Sequence, residues 1–133
     1  ENFLKGLMKR WRNSKGAWYL YSPDKLSIFA KMIFMKLIQR NIAQIVALCE
    51  KHKVESLYVF GSVLTDRFND DSDIDFVVVF DKAKVEDYFD NYFDFKYALE
   101  ELFGRSVDLV EDQTINNIYL RQNVDASKQL IYG

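Results

Sequence analysis

What this chain lacks narrows its possibilities first. It has one cysteine, Cys49, in 133 residues. A lone thiol excludes an internal disulfide framework and any zinc site built on several cysteines, and it fits an intracellular, reducing setting. Cys49 falls on the apolar side of a predicted helix, where a buried, inert thiol is expected and not a nucleophile. There is also one histidine, His52. Its place near a helix C-terminus fits a structural role with a favourable dipole interaction. With one proline and five glycines, no internal linker or low-complexity tract stands out. Long hydrophobic runs are missing as well. The apolar stretches near the start are broken by Lys31 and Lys36, too soon to span a bilayer, and no signal-peptide pattern is seen. A cytoplasmic protein without membrane contact is expected.

What remains is the composition of a folded domain, with 49% hydrophobic and 16% aromatic residues. The formal net charge of −2 hides an asymmetry. Residues 1–34 carry seven Lys or Arg against Glu1 and Asp24, whereas residues 35–133 carry 11 basic and 18 acidic residues. An acidic body argues against binding a nucleic-acid duplex, because phosphate neutralisation needs clustered Lys and Arg. The division predicted is a basic, aromatic N-terminal extension over 1–34 and one domain over 35–133. In the extension Lys9, Arg10 and Arg12 interleave with Trp11 and Trp18. That stretch reads either as an arm for a partner or as an extension packed on its own domain.

Periodicity sets the elements. Pro23 suits a first helical turn, and apolar residues recur at helical spacing from Ile28 to Cys49. This predicts one long helix ending near His52, or two with a break near Met35–Lys36. Strands are expected over Ser56–Phe60, Asp73–Phe80 and Arg105–Glu111. A short turn or helix, Val63–Phe68, and a polar loop separate the first two. A helix over Lys84–Phe103 would turn Val85, Phe89, Tyr92, Leu99, Leu102 and Phe103 inward, with Gly104 as its stop. Rings on its other faces point to a second partner. A last helical region is expected from Ile115 to Ile131.

The chemistry is concentrated in one stretch. The first strand ends at Gly61-Ser62, ten residues follow, and Asp73-Ile74-Asp75 opens the second strand. Residues i and i+2 of a strand project to one face, so Asp73 and Asp75 point together. Asp108 on the third strand can join them if the strands are neighbours. Two carboxylates about 5 Å apart at an effective dielectric of about 20 repel by roughly 3 kcal/mol, so three of them call for a cation or a shared proton. Oxygen-only donors select hard divalent metals, Mg²⁺ or Mn²⁺, and two such ions about 4 Å apart suit phosphoryl chemistry. A strand that breaks at Gly-Ser offers backbone N–H groups and a hydroxyl to phosphate oxygens. It is no P-loop, because no lysine follows where that motif requires one. Read singly, Asp73 could be a strand-entry cap, Asp108 an edge charge and Ser62 a helix N-cap. Asp66, Asp70 and Asp71 read as solvated loop charges, and Arg67 and Arg105 as structural residues or phosphate contacts.

Gly61-Ser62, ten residues, then Asp73-Ile74-Asp75 resembles the signature of the DNA polymerase β-like nucleotidyltransferase superfamily. The compact length, with Arg105-Ser106-Val107-Asp108 after a helix, resembles its minimal nucleotidyltransferase (MNT) branch. The resemblance covers roughly residues 40–133. It implies an α+β fold, a small mixed sheet flanked by helices. It further implies that Asp73 and Asp75 bind both metal ions, that Asp108 binds the catalytic metal and helps deprotonate an acceptor hydroxyl, and that Gly61 and Ser62 hold the nucleotide's β- and γ-phosphates. Many relatives carry an Arg-Gly pair shortly after Gly-Ser, and here Thr65-Asp66 stands in its place.

The function implied is transfer of AMP from ATP to a protein hydroxyl. Stand-alone MNT proteins typically act as antitoxins beside a HEPN ribonuclease toxin and can modify a toxin tyrosine. Two rivals differ in class: a non-catalytic antitoxin that masks its partner, and a small-molecule transferase of the aminoglycoside type. Enzymes of the last kind usually carry an additional helical domain. A chain this short is expected to borrow its acceptor site from a partner or from a second copy of itself.

Overall fold

Phe34, Ile38, Ile45 and Cys49 lie four, seven and four residues apart, the spacing that lines one side of a helix. In the computed structural model, which describes residues 32, 34–61 and 73–133, all four are buried. Residues 34–40 are helical, and after a turn at Asn41 helix α1 runs over Ile42–Lys51. The break therefore falls at Asn41, not at Met35–Lys36. Its side chain explains why: the Asn41 Nδ2 donates to the Leu37 carbonyl at 2.9 Å, closing the first segment as its backbone starts the next. The predicted helix start at Pro23 and residues 1–31 of the extension expected over 1–34 lie outside the described residues.

His52 caps α1 and is only 7% exposed. Its ring lies 5.5 Å from that of Phe95, and its carbonyl accepts from Asn91 Nδ2 at 2.7 Å. Burial is the main cause that lowers its pKa below the ordinary 6.5. The structural role stands, but as a buried neutral ring and not as a cation on the helix dipole.

Lys53, at φ 58°, turns the chain into β1 (Val54–Phe60). This strand pairs antiparallel with β2 (Ile74–Phe80), which pairs parallel with β3 (Val107–Glu111). Between β2 and β3 runs α2, Tyr88–Phe103, the crossover that a parallel pair requires. The Asp87 carboxylate caps its start by accepting from the Asp90 N–H, and Gly104, at φ 66°, ends it. The remaining elements are α3 (Ile118–Ser127), capped by Asn117, and β4 (Gln129–Tyr132). Among the described residues the sheet has four strands in the order β3–β2–β1–β4. This is the expected α+β architecture.

One expectation fails and another holds except at one residue. The stretch 115–131, expected as helix, splits into α3 and β4. Lys128 turns extended, at φ −61° and ψ 142°, and Gln129–Tyr132 then pairs with the open edge of β1. Pairing with an edge strand outweighs the local helical pattern. The inward face of the α2 segment is as expected except at one residue. Leu99 is buried and Val85, Tyr92, Leu102 and Phe103 pack against the core, whereas Phe89, expected inside, is 69% exposed and Phe95 is buried in its stead.

The two faces of the sheet differ. One carries Leu57, Val59, Ile74, Phe76, Val78, Phe80, Val107 and Leu109 against α1 and α2, forming the main core. A bulge between Val54 and Ser56 lets Val54 join that face out of strict alternation. The other face holds a smaller cluster of Val77, Ile115 and Val124, with Tyr58, Phe60 and Val110 packed against it. Among the described residues no helix is long and apolar enough to cross a membrane.

Candidate functional site

The smaller cluster defines the face on which the carboxylates project. Val77 belongs to it, so Asp75, two residues earlier on β2, faces the same way, and so does Asp108 two residues before Val110 on β3. Asp75 and Asp108 are register partners in the parallel β2–β3 pair. Neighbouring strands lie about 4.8 Å apart, so the two side chains rise side by side. The register is pinned at its start, where the Ile74 N–H donates to the Ser106 carbonyl at 3.1 Å. Asp75 is half-buried and Asp108 exposed. Asp73, exposed, stands immediately before β2, two residues from Asp75.

Gly61 approaches from the other side. Asp75 pairs with Phe60, the last residue of β1, and Gly61 follows at φ +80°. A Cβ at Gly61 would overlap the Asp75 carboxylate oxygen Oδ2 and stand 3.1 Å from its Cγ. The glycine is thus required twice, for its left-handed backbone and for the room it leaves the carboxylate. Ser62, Arg67 and the turn over Val63–Phe68 lie outside the described residues.

Four of the five expected site residues, Gly61, Asp73, Asp75 and Asp108, are therefore gathered at one end of the sheet, where β1 ends and β2 and β3 begin. They do not form a closed cage: among the described residues no three His, Cys, Asp or Glu side chains stand in metal-holding geometry. Asp75 and Asp108 nevertheless offer oxygen donors on one face of adjacent strands, with Asp73 just before β2, a donor chemistry that suits a hard divalent cation.

Sequence reasoning missed a pair on the same face. Lys128, at the end of α3, lies with Nζ 4.7 Å from the centre of the Tyr58 ring and 3.3 Å from Asp125 Oδ1. Tyr58 alternates with Phe60 on β1, a pattern that could have flagged its face. Lys128 could not have been placed without β4. Away from this end, Glu111 accepts from the Tyr88 hydroxyl and pairs with Lys82 Nζ at 3.1 Å. Burial raises the Tyr92 pKa, with smaller contributions from the charges of Asp108 and Glu111.

A family model described as polymerase beta, nucleotidyltransferase matches residues 43–133, well over half of the chain. The chain belongs to this nucleotidyltransferase family. Among its curated relatives, a Methanocaldococcus jannaschii protein provisionally named a protein adenylyltransferase is 34% identical over 83 residues, covering 62% of this chain and 80% of that protein. A second from the same organism, with the same provisional name, is 36% identical over the same shares. Among solved structures, this nucleotidyltransferase is similar to one described as a minimal nucleotidyltransferase, with TM-score 0.58, 28% identity, and coverage of 71% of this chain and 92% of that one. It also matches a chain of a toxin–antitoxin crystal structure with AMP-PNP, at TM-score 0.54 and 25% identity over 70% of this chain and 73% of that one. A third match comes from a tri-AMPylated Shewanella oneidensis HEPN toxin in complex with an MNT antitoxin, at TM-score 0.51 and 26% identity over 72% of each chain. The fold and the enzyme class expected from the Gly-Ser and Asp-x-Asp pattern are those of the family.

Proposed function

We propose that this nucleotidyltransferase moves AMP from ATP to a protein hydroxyl, a tyrosine of a cognate HEPN-type toxin, and thereby acts as the toxin's antitoxin. The observation that carries this reading is the parallel register of Asp75 and Asp108 beside the Gly61 turn. Two acidic residues stand in register on adjacent strands, next to the glycine turn that ends β1. The kinship with adenylyltransferases and with antitoxin chains of toxin–antitoxin complexes supports the choice of donor and acceptor.

In the reaction the acceptor oxygen forms a bond to the α-phosphorus of ATP. The bond from that phosphorus to the bridging oxygen breaks, and pyrophosphate leaves with the electron pair. Asp108 is assigned the proton of the acceptor hydroxyl. Gly61 and Ser62 are assigned the β- and γ-phosphates, received on backbone N–H groups and a hydroxyl. Asp73, Asp75 and Asp108 would hold Mg²⁺ or Mn²⁺, two ions, which when bound neutralise phosphate charge and lower the pKa of the acceptor hydroxyl. Lys128 brings a positive charge to the same face and is assigned a supporting role toward the triphosphate.

The test is AMP transfer from ATP to the purified cognate toxin with and without Mg²⁺. Labelling of one toxin tyrosine that disappears on chelation is the expected result. Neutralisation of the toxin without ATP or metal would favour masking without catalysis.

A further inference from the structure

Helix α2 carries a second apolar stripe that the core does not use. Phe89, Phe93 and Tyr97 follow each other at four-residue intervals, and their rings pack in a ladder with centroids 4.8 and 5.9 Å apart. Phe89 is 69% and Tyr97 57% exposed. Two exposed rings stacked on either side of the half-buried Phe93 are an organised surface and not scattered exposure. On the inner side of this ridge lies an open groove of about 430 Å³ whose floor is formed by Leu109, Val110 and Glu111 of β3.

The opposite border of the ridge is acidic. At 100° per residue, Asp90, Asp94 and Glu101 fall on one line next to the rings, away from the groove, and all three are exposed. A helix laid along the ridge would thus meet apolar rings in its middle and carboxylates along one flank.

Two further observations decide what kind of segment fits. An added β-strand does not, because the outer edge of β3 is already occupied by α2: the Val107 N–H donates to Glu100 Oε2 at 2.9 Å, and the Leu109 carbonyl accepts from the Tyr92 hydroxyl. A second copy of this chain is disfavoured by charge. An antiparallel two-fold contact, ridge on ridge, would set the two acidic rows side by side, and the body beyond position 34 carries 18 acidic against 11 basic residues.

We propose that the Phe89–Phe93–Tyr97 ridge and its groove form the docking surface for a helix of the partner protein, one with an apolar stripe bordered on one side by Lys or Arg. The inference rests on the partnership proposed above and specifies the surface that makes it. Docking there also sets the partner beside β3, the strand that carries Asp108 at its other end.

The experiment titrates the purified cognate HEPN-type toxin into the full chain by calorimetry. Replacing Phe89→Ser with Tyr97→Ser is expected to weaken binding at least about tenfold, as loss of aromatic anchors does. ATP binding by the same variant is expected to stay at the parent level. Asp90→Lys with Asp94→Lys is expected to weaken binding and to flatten its salt dependence. Parent-like toxin binding by the Ser variant would overturn the proposal. So would a fall of several degrees in the melting temperature of the isolated Ser variant, which would mean that the ridge is covered within the chain itself. So would a parent that self-associates through the ridge. If the parent binds the toxin through the ridge and transfers no AMP, the docking surface stands and the proposed reaction fails.

Discussion

Gly61 and Asp75 are fitted to one another. Gly61 turns at φ +80°, and the Asp75 carboxylate fills the space where any other residue would place its Cβ. Replacing Gly61→Ala adds a methyl group against that carboxylate and a left-handed cost of about 1–2 kcal/mol. A displacement near 1 Å of a positioning group can lower a rate about a hundredfold. The expected outcome is a melting temperature lower by a few degrees, together with a loss of AMP transfer of that order. Parent-like transfer would show that Asp75 does not need its present position.

Asp75 and Asp108 are register neighbours of like charge, and such neighbours are expected to repel when no cation is bound. Asp108→Asn removes one charge of the pair at an exposed position, so the gain is small, about 0.5 kcal/mol or a rise of about 2 °C in Tm measured in chelator. The same variant is expected to lose AMP transfer and to show a smaller rise in Tm on adding Mg²⁺. A Tm that responds to Mg²⁺ as the parent's does would remove Asp108 from the metal site.

The sequence made this end of the sheet readable because the motif is local. Gly61, Asp73 and Asp75 sit within fifteen residues, and a period of two aligns the carboxylates without knowledge of the fold. Asp108 needed the parallel pairing of β2 and β3, which the intervening helix implies. The rest was hidden in tertiary contacts. The four residues Gln129–Tyr132 become a strand only because β1 has an edge to offer. On α2 aromatic residues occupy several faces, and nothing local says that Phe95 is buried and Phe89 exposed. The break at Asn41 depends on one side-chain hydrogen bond to Leu37.

His52 makes the fold sensitive to acid. Burial holds its pKa below the ordinary 6.5, so the unfolded chain binds its proton more readily than the folded one. The stability this contributes is complete above pH 6.5 and declines as pH falls below that value toward the lowered folded-state pKa. Denaturant titrations between pH 7.5 and 5.5 are expected to show the decline in the parent and less of it in His52→Phe, which keeps a ring beside Phe95. Equal slopes in the two proteins would contradict the assignment.

Cys49 is fully buried, and desolvation pushes its thiol up to about 12. At pH 8 the folded protein is expected to resist iodoacetamide and to react at one site only after unfolding. Fast labelling of the native chain would mean that α1 opens readily.

The central claim is that Asp75 serves a transfer reaction between ATP and a partner's hydroxyl. Its most direct test is transfer of AMP from α-phosphate-labelled ATP to the cognate HEPN-type toxin, with the parent and the Asp75→Asn variant side by side in Mg²⁺. The expected result is a labelled toxin tyrosine with the parent and a loss of at least about a hundredfold with the variant, at equal toxin binding. Equal labelling by the two proteins would contradict the account.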